Sequence, residues 1–221
     1  MTVWRRALIL LCCVLDCVEC SSSSLLLQRN KYNNSFRLTR STRTRVQQLQ
    51  RKYVSTENLL PHFEDRSRQL RDLPSLSTDF NGWLNLTEFE RLHAALLDMQ
   101  AYWTTLEWKR QQIEKEEKEQ RGKRASGTTL PRSIGHIQLD LRDLMSQVSS
   151  QMSYKNSSWT KPTFPTTPPN PQTRSKTVWD SRVEGYIVLR DLDLYLTKLA
   201  RDFLFLRSSR RRPHLPGLML T

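Results

Sequence analysis

The chain has 221 residues and a formal net charge of +13, from 35 Lys and Arg against 22 Asp and Glu. That length suits one domain with its own core, and nothing in the composition suggests a second. A basic excess would suit nucleic acid, but no recognised module or aromatic platform accompanies it, so nucleic acid is not expected as a partner.

The chain opens with Met1-Thr-Val-Trp-Arg5-Arg6, an uncharged apolar run from Ala7 to Leu15, and then Asp16-Cys-Val-Glu-Cys20. A basic start, a short apolar stretch and a cleavage point after Cys20 describe a signal peptide over 1–20. The run is about half the roughly 20 residues a bilayer crossing needs. No later stretch is apolar enough to span, so the expectation is a secreted, extracellular protein with no membrane insertion. All four cysteines (Cys12, Cys13, Cys17, Cys20) lie in the segment to be removed. The mature chain would then form no disulfide and no thiolate metal site, and its core alone must hold it together. Asn33-Asn-Ser35, Asn85-Leu-Thr87 and Asn156-Ser-Ser158 are three candidate glycan acceptors and predict exposed backbone at each. Basic residues crowd Arg29 to Lys52 and Arg207 to Arg212. Outside the cell these suit sulfated glycosaminoglycans and acidic protein faces.

Four stretches carry helical periodicity. The first, 37–57, has a thin apolar face of Leu38, Val46, Leu49 and Tyr53, with Thr42 filling one core slot. The second, 87–119, starts at Thr87-Glu-Phe-Glu90, which has capping-box spacing. Its stripe is Leu92, Leu96, Met99, Trp103, Leu106 and Ile113, and beyond Ile113 it is all charge. The third, 132–152, carries Ile134, Ile137, Leu141, Leu144, Val148 and Met152. The fourth, 178–207, has the longest pattern, Tyr186, Leu189, Leu192, Leu196, Leu199, Phe203 and Leu206. Ile187, Leu194 and Phe205 widen it. Gly185 near its start costs about 1 kcal/mol relative to alanine, and the sequence offers no reason for it. Residues 208–221 read as a flexible basic tail.

The fold class expected is all-α, a four-helix bundle. A 20-residue helix is about 30 Å long, so returning to its far end takes roughly nine extended residues. The first connection, Asn58 to Leu86, and the third, Ser153 to Thr177, exceed that, the third stiffened by prolines. The second, Arg121 to Leu130, is short. Long, short, long permits an up-up-down-down bundle; up-down-up-down fits the same lengths but leaves two overlong connections without purpose.

Nothing in the sequence points to catalysis. The four histidines (His62, His93, His136, His214) are scattered, and no HExxH, glycine-rich phosphate loop or GxSxG occurs. No enzyme activity, cofactor or metal is expected.

Ser77-Thr-Asp79, Trp83 and Leu86-Thr-Glu-Phe-Glu-Arg-Leu92, together with Tyr195-Leu-Thr-Lys-Leu-Ala-Arg201-Asp202-Phe203-Leu-Phe-Leu-Arg207, resemble two segments of one family. They are similar to the interleukin-6 superfamily of helical cytokines, in the long-chain branch of ciliary neurotrophic factor, cardiotrophin, cardiotrophin-like cytokine and leukaemia inhibitory factor. The resemblance implies the up-up-down-down topology and a protein that joins receptor ectodomains of that family to activate JAK/STAT signalling. That branch's signature for the leukaemia-inhibitory-factor-type receptor is Phe-X-X-Lys at the start of the fourth helix. Counting back from Arg201-Asp202-Phe203, its positions are held here by Trp179 and Arg182, an aromatic and a cation of altered type. An exposed aromatic beside a cation is a good anchor pair, although arginine's planar fork differs from lysine's point charge. The other reading of Trp179 is core, since it stands seven residues before Tyr186.

The resemblance also implies an epitope for the shared signal transducer on outward faces of the first and third helices, where Gln47, Gln48 and Arg51, with Gln138 and Arg142, would fall. A third epitope, for a non-signalling receptor, would use Arg201 and the first long loop, unless Arg201 and Asp202 are a solvated surface pair. Arg121-Gly-Lys-Arg124 and Arg207-Ser-Ser-Arg210 have the form of convertase sites, or of plain basic loops. The rival function, from another class, is a secreted amphipathic-helix protein that binds lipid or a glycan surface.

Overall fold

The structure is a computed structural model that describes residues 2–57, 68–75, 79–120, 130–155, 158–160, 162 and 177–209. Among the described residues five helices follow in order: α1 (Thr2–Thr56), α2 (Phe80–Asn85), α3 (Glu88–Gln120), α4 (Leu130–Lys155) and α5 (Val178–Ser209). The fold is all-α. Among the described residues, no helix is long and apolar enough to cross a membrane. Asn156, the prolines of the third connection beyond Pro162, Arg124, Arg210 and the tail beyond it lie outside the described residues.

α1 begins well before the expected Arg37. From Leu26 onward its buried residues are Gln28, Tyr32, Ser35, Thr39, Thr42, Val46, Leu49 and Tyr53, alternating four- and three-residue steps without a break. Half of that stripe is polar, so its N-terminal part is hidden from a search for apolar periodicity. The polar groups are buried with their bonds made. Thr39 and Thr42 donate to the carbonyls of Ser35 and Leu38 at 2.8 and 2.9 Å. Ser35 Oγ lies 2.7 Å from Gln147 Oε1 and accepts from Gln151 Nε2 at 2.9 Å. Tyr32 and Gln28 reach Glu88 at the start of α3.

α2 is a short helix that the apolar pattern does not announce. Asp79 caps it, its carboxylate accepting from the amides of Asn81 and Gly82 at 3.2 and 3.0 Å. α3 starts with the expected capping box: the Glu90 amide donates to Thr87 Oγ1 at 3.2 Å, and the Thr87 amide donates to Glu90 Oε2 at 2.8 Å.

The expected stripes of α4 and α5 are buried throughout. On α3 the buried aromatic is Tyr102, fully enclosed, and Trp103 is only half-buried. Leu194 of α5 is exposed, whereas Ile187 is core. Each fully enclosed Leu, Ile or Phe contributes about 1.5–3 kcal/mol by leaving water, so this shared interior is the main stabilising term.

The helices meet in a consistent order. Along α1 and α5, Asn33 faces Arg207, Arg43 faces Asp193 and Glu57 faces Arg182. Along α1 and α4, Ser35 meets Gln147 while Arg45 meets Asp140 at 2.6 Å. Along α3 and α5, Arg91 meets Asp202, the Ala95 carbonyl accepts from Tyr195 at 3.0 Å, and Lys109 meets Ser181. In each pair the numbers rise on one helix as they fall on the other. The segment 68–75 lies along α5, where Arg190 donates to the Arg68 carbonyl at 2.8 Å and Leu70 and Leu73 pack on the core.

Candidate functional site

Thr177 fixes the start of α5. The Asp180 amide donates to its hydroxyl at 3.0 Å, and the hydroxyl donates to the Asp180 carboxylate at 2.8 Å. The first turn so formed carries Val178 and Trp179 outward, 62% and 47% exposed. The buried stripe of α5 begins only at Ser181 and Val183, so Trp179 is not an extension of the core. One turn on, Arg182 pairs with Glu57 at the end of α1, Nε to Oε2 at 2.9 Å. Burial raises the Glu57 carboxyl above its usual range, while the Arg182 and Lys109 cations pull it down.

Behind this turn sits Lys109, 3% exposed. Its ammonium donates to the Ser181 carbonyl at 2.5 Å, to the Ser181 hydroxyl at 2.7 Å and to Gln112 Oε1 at 3.1 Å. Gln112 in turn donates to Ser181 Oγ at 2.6 Å. All three ammonium protons are used, which is what a buried cation requires. Burial still lowers its pKa to about 8, against the opposing pull of Glu184, Glu116 and Glu57.

Gly185 lets these groups approach. A Cβ there would lie 2.6 Å from Tyr53 Cζ and 2.7 Å from Lys109 Cε. The glycine is thus the place where α1 and α3 side chains press against the backbone of α5. The outcome is a capped first turn, braced from two helices, that carries an exposed valine and a half-exposed tryptophan beside a paired arginine.

The other expected site residues fall elsewhere. Gln48 and Arg51 are exposed on α1 and Gln47 is half-buried. Arg142 is exposed on α4, 3.7 Å from Asp143. Gln138 does not face outward: it is buried, donating to Glu107 Oε2 at 2.9 Å between α4 and α3. Arg201 is exposed on α5, but Asp202 is not its solvated partner. Asp202 is buried and accepts from Arg91 Nη1 at 2.8 Å and from Trp83 Nε1 at 2.6 Å. Arg91 also donates to the Trp83 carbonyl at 2.6 Å and stacks on the Trp83 and Phe205 rings at 4.7 and 4.8 Å. Of the three glycan acceptors, Asn85 is exposed at the last residue of α2, and Asn33 lies within α1 with its Oδ1 accepting from Arg207 at 2.8 Å.

Sequence reasoning missed Lys109, Ser181, Glu57 and Arg91. Lys109 carried a signal: it falls three after Leu106 and four before Ile113, a charged residue at a stripe position. Arg91 lies off the apolar stripe, beside Leu92, and its signal was its place in the resembling segment Leu86 to Leu92. Among the described residues, no group of three His, Cys, Asp or Glu is placed to hold a metal ion. No protein-family model matches the chain, and no curated protein matches it.

Proposed function

We propose that the chain is a secreted, non-enzymatic cytokine of interleukin-6 superfamily type, which brings two signalling receptor subunits together so that their cytoplasmic kinases activate STAT proteins. In this reading α1, α3, α4 and α5 form an up-up-down-down bundle, and α2 belongs to the first long connection. The rising and falling residue pairs of α1 with α5 and α4, and of α3 with α5, favour that arrangement, as do two long connections around a short one.

The observation that carries the reading is Trp179, 47% exposed on a capped and braced helical turn while the apolar stripe of the same helix is buried. A large aromatic kept exposed in this way is a binding anchor in waiting, because tryptophan and arginine dominate the energetics of protein interfaces. Its pre-organised backbone lowers the entropy lost on docking. Arg182 supplies a cation three residues on, already held by Glu57. Gln47, Gln48, Arg51 and Arg142 form the second epitope, for the shared signal transducer, and Arg201 the third. No cofactor takes part; binding energy alone does the work. The amphipathic-helix rival would need its apolar faces for a lipid or glycan surface, and here they are turned on one another.

The test is STAT phosphorylation by the secreted chain in cells bearing the shared signal transducer and a leukaemia-inhibitory-factor-type receptor. Trp179→Ala with Arg182→Ala should reduce potency about 30-fold or more, the equivalent of losing an anchor worth about 2 kcal/mol, with helicity and Tm unchanged. Silence of the unaltered protein on every such receptor combination would overturn the reading. A fall in helicity would instead mean that Trp179 supports the fold.

A further inference from the structure

From Cys20 to Thr56 the sequence contains eight cations and not one Asp or Glu. Two of the eight are neutralised by neighbouring helices: Arg43 by Asp193 of α5 at 2.9 Å, and Arg45 by Asp140 of α4 at 2.6 Å. Arg37, Arg40, Arg51 and Lys52 are exposed on the outward side of the same helix. Between Arg37 and Lys52 this ridge runs for about 20 Å along α1.

At its N-terminal end the ridge is joined by a cation from α5. The guanidinium groups of Arg40 and Arg207 lie against one ring, Phe36, at 5.7 and 5.6 Å. Arg207 also donates to Asn33 Oδ1. The ring and the amide place both cations at this end of the ridge, and among the described residues neither makes an ion pair, while Asp193 of α5 and Asp140 of α4 are engaged by Arg43 and Arg45. Like charges gathered without a counter-charge favour a bound anion. A single phosphate would be served by one such pair; a ridge continuing for several turns fits a linear polyanion. Arginine forks match the planar oxygens of a sulfate.

We propose that the ridge of Arg37, Arg40, Arg207, Arg51 and Lys52 is a binding site for a sulfated polysaccharide of heparin type. The site is independent of Trp179 and, although it shares Arg51 with the proposed second epitope, is tested without the receptor reading. It gives the protein a way to be retained on the cell surface or matrix near where it is released.

The experiment uses the full secreted chain with N-glycans trimmed to their first sugar, because one at Asn33 would stand beside Arg207. Binding of a fluorescent heparin octasaccharide is measured by anisotropy at 0.05 to 0.3 M salt. Arg37→Gln/Arg40→Gln/Arg207→Gln should bind about tenfold more weakly and show a shallower salt dependence. Lys115→Gln/Lys118→Gln/Arg132→Gln, which removes the same charge from the far ends of α3 and α4, should bind as the unaltered protein does. Both triples should shift equally on a plain sulfopropyl exchanger. Arg37→Glu, a single exposed change, serves if the first triple misfolds, and should weaken binding several-fold. Equal weakening by both triples, or no binding at 0.15 M salt, would overturn the proposal. Single-stranded DNA binding as tightly as heparin would overturn the assignment to a sulfated sugar.

Discussion

Gly185→Ala isolates the packing that braces the candidate site. In an exposed helix interior this change stabilises by about 1 kcal/mol, because alanine loses less backbone freedom. Here the new methyl would fall 2.6 Å from Tyr53 Cζ, inside the phenol oxygen as well, and 2.7 Å from Lys109 Cε. Neither neighbour can yield cheaply. Tyr53 is a rigid ring 1% exposed, and the Lys109 ammonium is pinned by Ser181 and Gln112. Overpacking of this kind costs about 1–3 kcal/mol, and more if the Lys109 bonds break and leave a buried cation unpaired. The net expectation is a loss of about 1–2 kcal/mol, or roughly 2–8 °C in Tm for a chain of this size, followed by circular dichroism at 222 nm. The same change in a Tyr53→Leu background should cost less, by a coupling of about 1 kcal/mol or more, with only the Lys109 contact left to accommodate. A Tm equal to or above that of the unaltered protein in the Tyr53 background would refute the close approach of α1 and α3 to α5.

Asp202→Ala should cost about 3–5 kcal/mol in urea unfolding, because it strands the Arg91 guanidinium, 2% exposed, without its counter-charge. Arg91→Met with Asp202→Leu should be milder than Asp202→Ala alone, since no charge is then left buried. Lys109 makes stability depend on pH. Its pKa is lowered by burial from 10.5 to about 8, so between those values the unfolded chain binds the proton that the folded chain has lost. Stability should therefore rise with pH from about 8 towards 10, by at most about 1.4 kcal/mol per unit, and be insensitive to this group below 8. Lys109→Met should abolish that rise. Above 10 the buried Tyr53, Tyr102 and Tyr195, whose pKa values are raised by burial, reverse the trend, because the unfolded tyrosines release protons first. Thr87→Ala should cost about 0.5–2 kcal/mol by removing the acceptor for the Glu90 amide, read by the same unfolding curves.

The parts of this fold that were legible in the sequence are those where period and polarity agree. The α5 stripe from Tyr186 to Leu206 and the α4 stripe from Ile134 to Met152 are apolar at each step, and each is buried. The Thr87 cap was legible because its partner Glu90 lies three residues away. What stayed hidden was either polar at a core position or dependent on a distant contact. Thr42 was legible as a core slot, but Gln28, Ser35 and Thr39 keep the spacing of α1 and not its polarity, so the bundle part of that helix looked shorter than it is. Gly185 looked like a local cost because the groups that require it, Tyr53 and Lys109, come from two other helices. Asp202 looked like half of a surface pair because its partners Arg91 and Trp83 lie over a hundred residues earlier.

That last arrangement changes what the family likeness means. Its two segments, one around Trp83 to Leu92 and one from Tyr195 to Arg207, are brought into contact by Asp202, Arg91, Trp83 and Phe205. These residues face inward. They tie the end of α5 to the start of α3 and hold α2 against both, so a chain keeping them keeps a way of closing the bundle. On the reading proposed above, the receptor is chosen instead at the opposite end of α5, where the half-exposed Trp179 and the Glu57-paired Arg182 depart in type from the pattern they resemble. A tryptophan asks for a deeper pocket than a phenylalanine, and an arginine already paired with Glu57 offers its partner a fork rather than a point charge. Restoring the branch's own types, Trp179→Phe with Arg182→Lys, should leave Tm unchanged and alter which receptor ectodomain is captured. If capture is indifferent to that exchange, specificity lies outside the first turn of α5.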